Sequence, residues 1–80
     1  MDPFQSNFAH SCSIQSDVAH RLAITFGLTV ADVRADTHDV ARWHGTDDDL
    51  VAVIGARRRL SQQDAATYIR DLRTALDQAR

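Results

Sequence analysis

The chain has no lysine and no glutamate: its nine bases are all arginine and its eleven acids all aspartate. Beside an alanine-rich background, this reads as the codon bias of a GC-rich genome, bacterial or phage, rather than as a functional constraint. Cysteine occurs once, at Cys12, which excludes an intrachain disulfide and fits a reducing, cytoplasmic compartment. The three glycines, Gly27, Gly45 and Gly55, lie too far apart for a phosphate-cradling loop. The longest purely apolar run is the five residues 50–54, far short of the roughly 20 a membrane helix needs. Met1-Asp2-Pro3 lacks a basic leader, so no signal peptide is expected. Neither charge sign dominates: the net charge is −2, which argues against bulk attraction to nucleic acid or anionic lipid while leaving room for a local patch.

What is present is helix signal. Eighty residues make one domain, and a chain this short buries only about 60% of its unfolded surface. A thin core makes self-association, and a homodimer in particular, an expectation. The periodicity predicts an all-α fold, a compact bundle of three to four short helices at 14–26, 30–44, 47–59 and 62–79. A possible further helix at 3–10 starts at Pro3 and places Phe4 and Phe8 one turn apart. Residues 1–12 are thus expected to form an N-terminal arm or short helix, ahead of a single helical domain at 13–80.

In the first stretch Ile14, Val18, Leu22 and Phe26 recur every fourth residue, with Ala19 and Ala23 beside them and Gly27 as the stop. In the second, Val30, Val33, Thr37, Val40 and Ala41 share a face. The third is expected to bury Leu50, Val53 and Ile54, with Gly55 marking close approach by a neighbouring helix. The fourth holds Ala65, Tyr68, Ile69, Leu72, Ala75, Leu76 and Ala79 on one side. Thr29-x-x-Asp32, Thr46-x-x-Asp49 and Ser61-x-x-Asp64 have capping-box spacing, with aspartate in the place of glutamate. Asp47, Asp48 and Asp49 open the third helix and Arg57, Arg58 and Arg59 close it, the charge order its dipole favours.

No chemistry-bearing motif emerges. His38 and His44 are six apart, the wrong interval for one helical face. The set His10, Cys12, His20 matches no zinc spacing, and Asp47-Asp48-Asp49 lacks the alternation of a calcium loop. The serines fall in caps and loops, so no enzyme, metal site or cofactor is expected. Arg58-Arg59-Leu60-Ser61-Gln62-Gln63-Asp64-Ala65-Ala66 resembles the start of the second helix of lambda-repressor-like DNA-binding domains, although an unbroken helix follows where that family places its recognition helix. Phe26-Gly27-Leu28-Thr29-Val30-Ala31-Asp32-Val33-Arg34-Ala35-Asp36-Thr37 together with Asp64-Ala65-Ala66-Thr67-Tyr68-Ile69 resembles acyl carrier proteins. The serine that family modifies is absent from Thr46-Asp47-Asp48-Asp49-Leu50, so a carrier role is excluded.

Surfaces remain. Trp43 falls off the apolar stripe of the second helix on the side of Asp32, Asp36 and Asp39, where a large ring can anchor a partner. Val51 likewise lies off its own helix's stripe. The leading expectation is a helical adaptor, inhibitor or regulator that binds a protein partner or itself through Trp43 and Val51, with the acids Asp36, Asp39, Asp47 and Asp48 selecting a basic partner. The alternative is a DNA-binding regulator using Arg57, Arg58, Arg59, Arg70 and Arg73, and it requires these arginines to share an exposed face free of aspartate.

Overall fold

The computed structural model describes residues 14–79. The expected arm at 1–12, the helix at 3–10 and Cys12 lie outside the described residues. Within them the chain forms an all-α bundle of four helices: α1 (Ser16–Phe26), α2 (Val30–Ala41), α3 (Asp47–Arg58) and α4 (Gln62–Ala79). Among the described residues no helix is long and apolar enough to cross a membrane.

The longest helix, α4, is the one against which α1, α2 and α3 all pack. Its stripe carries the burial: Ala65, Tyr68, Ile69, Leu72 and Ala75 are inside, with Leu76 half-buried against them. The Tyr68 ring meets Phe26 of α1, centroids 4.9 Å apart and planes tilted by 49°, a favoured arrangement for two quadrupoles. Ile14 is buried ahead of the first turn of α1, and Ala19, Leu22 and Ala23 continue its stripe. The α3–α4 hairpin is the closest pairing. Gly55 makes it possible: a Cβ there would stand 3.2 Å from the Ala65 Cβ, which accounts for a glycine in mid-helix despite its poor propensity.

The ends follow the caps. Thr29 accepts from the Asp32 amide at 3.0 Å and Asp32 accepts from the Thr29 amide at 3.2 Å, a complete capping box. At Thr46 and Ser61 the hydroxyl half forms, to Asp49 N–H at 3.2 Å and Asp64 N–H at 3.1 Å. Aspartate is one methylene shorter than glutamate, so the return bond is the harder half to close. Gly27, at φ 68°, closes α1 in the left-handed region, and Arg59 takes the same conformation after α3 at φ 57°. The Leu60 amide then donates to the Gly55 carbonyl at 2.9 Å, as in a Schellman turn.

Three expectations need correction. The second helix stops at Ala41 rather than near 44. Its last turn tightens, with the Arg42 and Trp43 amides donating to Asp39 and Val40 carbonyls at 3.2 and 3.3 Å, and the chain then turns towards α3. The buried face of α2 is Val33, Asp36, Thr37 and Val40, rotated away from the exposed Ala41. In α3 the buried residues are Leu50, Ile54 and Gly55, while Val53 is 42% exposed.

Candidate functional site: a Trp43 groove beside a buried charge network

Rotation of α2 carries Asp36 into the seam between α3 and α4, where its side chain is fully buried. Burying a carboxylate is costly unless it is paired and hydrogen-bonded, and here it is both. Arg58 grips it side-on: Nε donates to Oδ2 at 2.9 Å and Nη2 to Oδ1 at 2.8 Å. The Tyr68 hydroxyl donates to Oδ2 at 2.7 Å. Arg57 adds a longer bond to Oδ1 at 3.3 Å and a short one to Asp39 at 2.6 Å. Arg58 reaches on with Nη1 to Asp32 Oδ1 at 3.0 Å. Asp32 therefore serves twice, as half of the α2 capping box and as an acceptor for the end of α3.

The electrostatics follow from these contacts. Burial, and then the hydrogen bond to Asp36 and its nearby charge, push the Tyr68 phenol well above the ordinary tyrosine value. The Thr29 amide, opposed by partial desolvation and aided by the Thr29 hydroxyl and Arg58, holds Asp32 below the usual carboxylate range. The hydrogen bond to Asp36 is the main reason the Arg58 charge is favoured still further. The network is closed: Asp36 is engaged on both oxygens by Arg57, Arg58 and Tyr68.

Trp43 lies at the end of α2 beside this network. Its indole N–H donates to the Thr46 carbonyl at 2.9 Å, and its ring lies so close over Gly45 that a Cβ there would approach to 3.1 Å. One face of Trp43 thus closes the α2–α3 turn. The ring also walls a shallow groove with Leu50, Val53 and Ile54 on the floor and Asp39, Arg42 and Arg57 at the rim. Arg42 is steadied by His38, their nitrogens 3.2 Å apart.

The sequence-predicted residues scatter. Val51 lines a different groove, formed with Gly55, Ala56 and Leu60, so the structure joins Trp43 to Val53 instead. Asp36 is buried and offers no partner-facing surface. Asp39 is held by Arg57, and Asp47 by Arg73 at 2.7 Å. Asp48 is exposed. The arginines do not form a free face either: Arg57 and Arg58 are taken up by Asp32, Asp36 and Asp39, Arg73 by Asp47, and Arg70 lies 4.0 Å from Asp71. Arg59 closes α3. The condition that the DNA-binding expectation set is therefore unmet at four of the five positions, through Asp32, Asp36, Asp39, Asp47 and Asp71. No three His, Cys or Asp side chains converge as a metal site among the described residues.

Sequence reasoning missed Tyr68 as a polar residue, Asp32 as a tertiary partner, and Val53 and Arg42 at the groove. The one available signal was the Asp36/Tyr68/Arg58 combination: a tyrosine in the middle of a core stripe requires a partner for its hydroxyl. No family model matches the chain, and no curated protein or solved structure matches it either.

Proposed function

We propose that the protein works by protein–protein contact, as a bacterial or phage adaptor, inhibitor or regulator, through the groove lined by Trp43 and Val53. One observation carries this reading. Val53 is a large apolar side chain left 42% exposed, and it shares its groove with a half-buried indole and two arginines. Exposed apolar surface beside a fixed aromatic ring and arginine is the composition that contact sites favour. The mechanism is occupancy: an apolar side chain of the partner fills the groove against Trp43 and Val53 and displaces water. The buried network gives the groove a fixed shape, because it ties α2 along its length to the end of α3. Catalysis is not part of this reading, since the buried carboxylate Asp36 is fully committed to Arg57, Arg58 and Tyr68.

The test is a peptide-display library panned on the wild-type chain and counter-panned on Val53→Asp. Val53 is exposed, so this variant is expected to stay folded by circular dichroism. Peptides carrying an apolar anchor are expected to be retained by wild type, lost on the variant, and to shift the emission of Trp43, the chain's single tryptophan. Binders that ignore Val53→Asp and leave Trp43 emission unchanged would overturn the proposal.

A further inference from the structure

Three charged side chains stand at the rim of the Trp43 groove: Asp39, Arg42 and Arg57. Two of them cancel, because Arg57 donates to Asp39 at 2.6 Å. Behind them Asp36 is buried and gripped by Arg58 through both oxygens. Arg42 is different. It is exposed and takes part in no ion pair among the described residues. Its contact is with His38 Nε2, 3.2 Å away. A guanidinium only donates hydrogen bonds, so that ring nitrogen accepts. His38 thus positions Arg42 without neutralising it.

The positive charge continues outward along α2. Arg34, His38 and Arg42 follow at four-residue intervals, which stacks them along one side of the helix, with Arg42 as its C-terminal cap. Arg34 is also exposed and also outside the ion pairs of the described residues. The α3 side carries the other sign. Asp49 stands one turn ahead of Val53 and is exposed, although it does not line the groove. The groove therefore has an apolar floor, an unneutralised cation on its α2 side and acids beyond its α3 side. A basic occupant would meet Arg42 with Asp39 already engaged. A carboxylate instead finds in Arg42 a planar fork with open donors.

From this asymmetry we infer that the occupant of the groove is an acidic protein segment: an apolar side chain fills the groove against Trp43 and Val53 while a neighbouring carboxylate pairs with Arg42 on the α2 side. This partner chemistry rests on the groove being a contact site, as proposed above. The floor of Leu50, Val53 and Ile54 favours a side chain over a sugar-phosphate backbone, which would leave that floor uncovered.

The experiment titrates the full chain with pools of short peptides, each built round a central leucine or phenylalanine. One pool is flanked by aspartate and glutamate, one by lysine and arginine, and one by serine and glycine. The emission of Trp43, the single tryptophan, reads binding. The acidic pool is expected to bind roughly tenfold more tightly than the basic pool and to lose that advantage as salt rises. Arg42→Glu, at an exposed position and expected to stay folded by circular dichroism, inverts the order of the two charged pools. Arg42→Gln, milder at a helix end, removes the preference without inverting it. Asp39→Asn frees Arg57 for the peptide and is expected to tighten the acidic pool roughly threefold, a gain that a damaged fold cannot produce.

Neutral or basic peptides that bind as well as acidic ones, with Val53→Asp abolishing all of them, would leave the contact site standing and overturn its acidic preference. Acidic binding that Arg42→Glu leaves unchanged would overturn it too. Binding by none of the pools, or binding indifferent to Val53→Asp, would remove the contact site itself. An oligothymidylate that matches the acidic pool and ignores Val53→Asp would make the Arg34–Arg42 row a nucleic-acid contact instead. A wild-type dimer in sedimentation equilibrium that both Val53→Asp and Arg42→Glu dissociate would assign the groove to a second copy of the chain, again against an acidic partner.

Discussion

Asp36 shows how much one residue decides. A hydrophobicity pattern treats aspartate as a solvent-facing position, and so it turns α2 towards Ala41. The structure turns it the other way because Asp36 has Arg57, Arg58 and Tyr68 waiting on α3 and α4. Those partners lie 21, 22 and 32 residues away, outside the reach of any local pattern. Tyr68 offers a direct reading of the network, because it is the only tyrosine in the chain. The fold raises its pKa, chiefly by burial, so it favours the protonated phenol. That contribution is complete below the unfolded-state value of about 10. Above it the unfolded chain gains by ionising and the folded chain does not, so stability falls as pH rises towards the folded value. In an ultraviolet titration the tyrosinate band is expected to be absent while the helices persist and to appear together with their loss. A phenolate that forms near the ordinary tyrosine value in a fully helical protein would show that the hydroxyl is not held by Asp36.

At the scale of elements, the sequence was most informative where the interactions are local. The caps at Thr29, Thr46 and Ser61, the stop at Gly27 and the close approach at Gly55 all depend on residues within a few positions or on the absence of a side chain. The faces of α1 and α4 were legible for the same reason, since their stripes are long and unmixed. The face of α3 was not. Its run of residues 50–54 is apolar on every side, so no polar residue fixes the rotation, and periodicity turned Val53 inward and left Val51 off the stripe. The structure half-buries Val51 and exposes Val53, because α4 packs on the Gly55 side. One element end is strained. Arg59 closes α3 at φ 57°, a conformation that costs a residue with a Cβ about 1 kcal/mol or more. Arg59→Gly is expected to stabilise the fold by about 1 kcal/mol, a gain of several degrees in Tm for a domain of this size. Thermal unfolding of the wild-type and variant chains, followed by circular dichroism, checks it. An unchanged or lowered Tm would mean that the Arg59 side chain makes a stabilising contribution that offsets the backbone strain.

At the scale of the molecule, three of the four helices meet at one buried carboxylate. Asp36 belongs to α2, Arg57 and Arg58 to α3, and Tyr68 to α4. A domain with so thin a core has few contacts to spare, so this joint is expected to govern cooperativity as well as stability. Replacing both sides of a buried ion pair with apolar groups can be nearly neutral, but removing one partner strands the other. Asp36→Ala removes the acceptor shared by two guanidinium groups and a phenol, and leaves Arg58, 15% exposed, with Asp32 alone. The cost is expected to be about 3–5 kcal/mol, a large share of the stability of an ordinary domain. Native-state hydrogen exchange distinguishes a joint from a local contact. With a joint, Asp36→Ala lowers protection in α2, α3 and α4 by similar amounts, because they open as one unit. Protection lost from α2 alone would place the cooperativity in the apolar stripe of α4, with the network a passenger on a core already assembled.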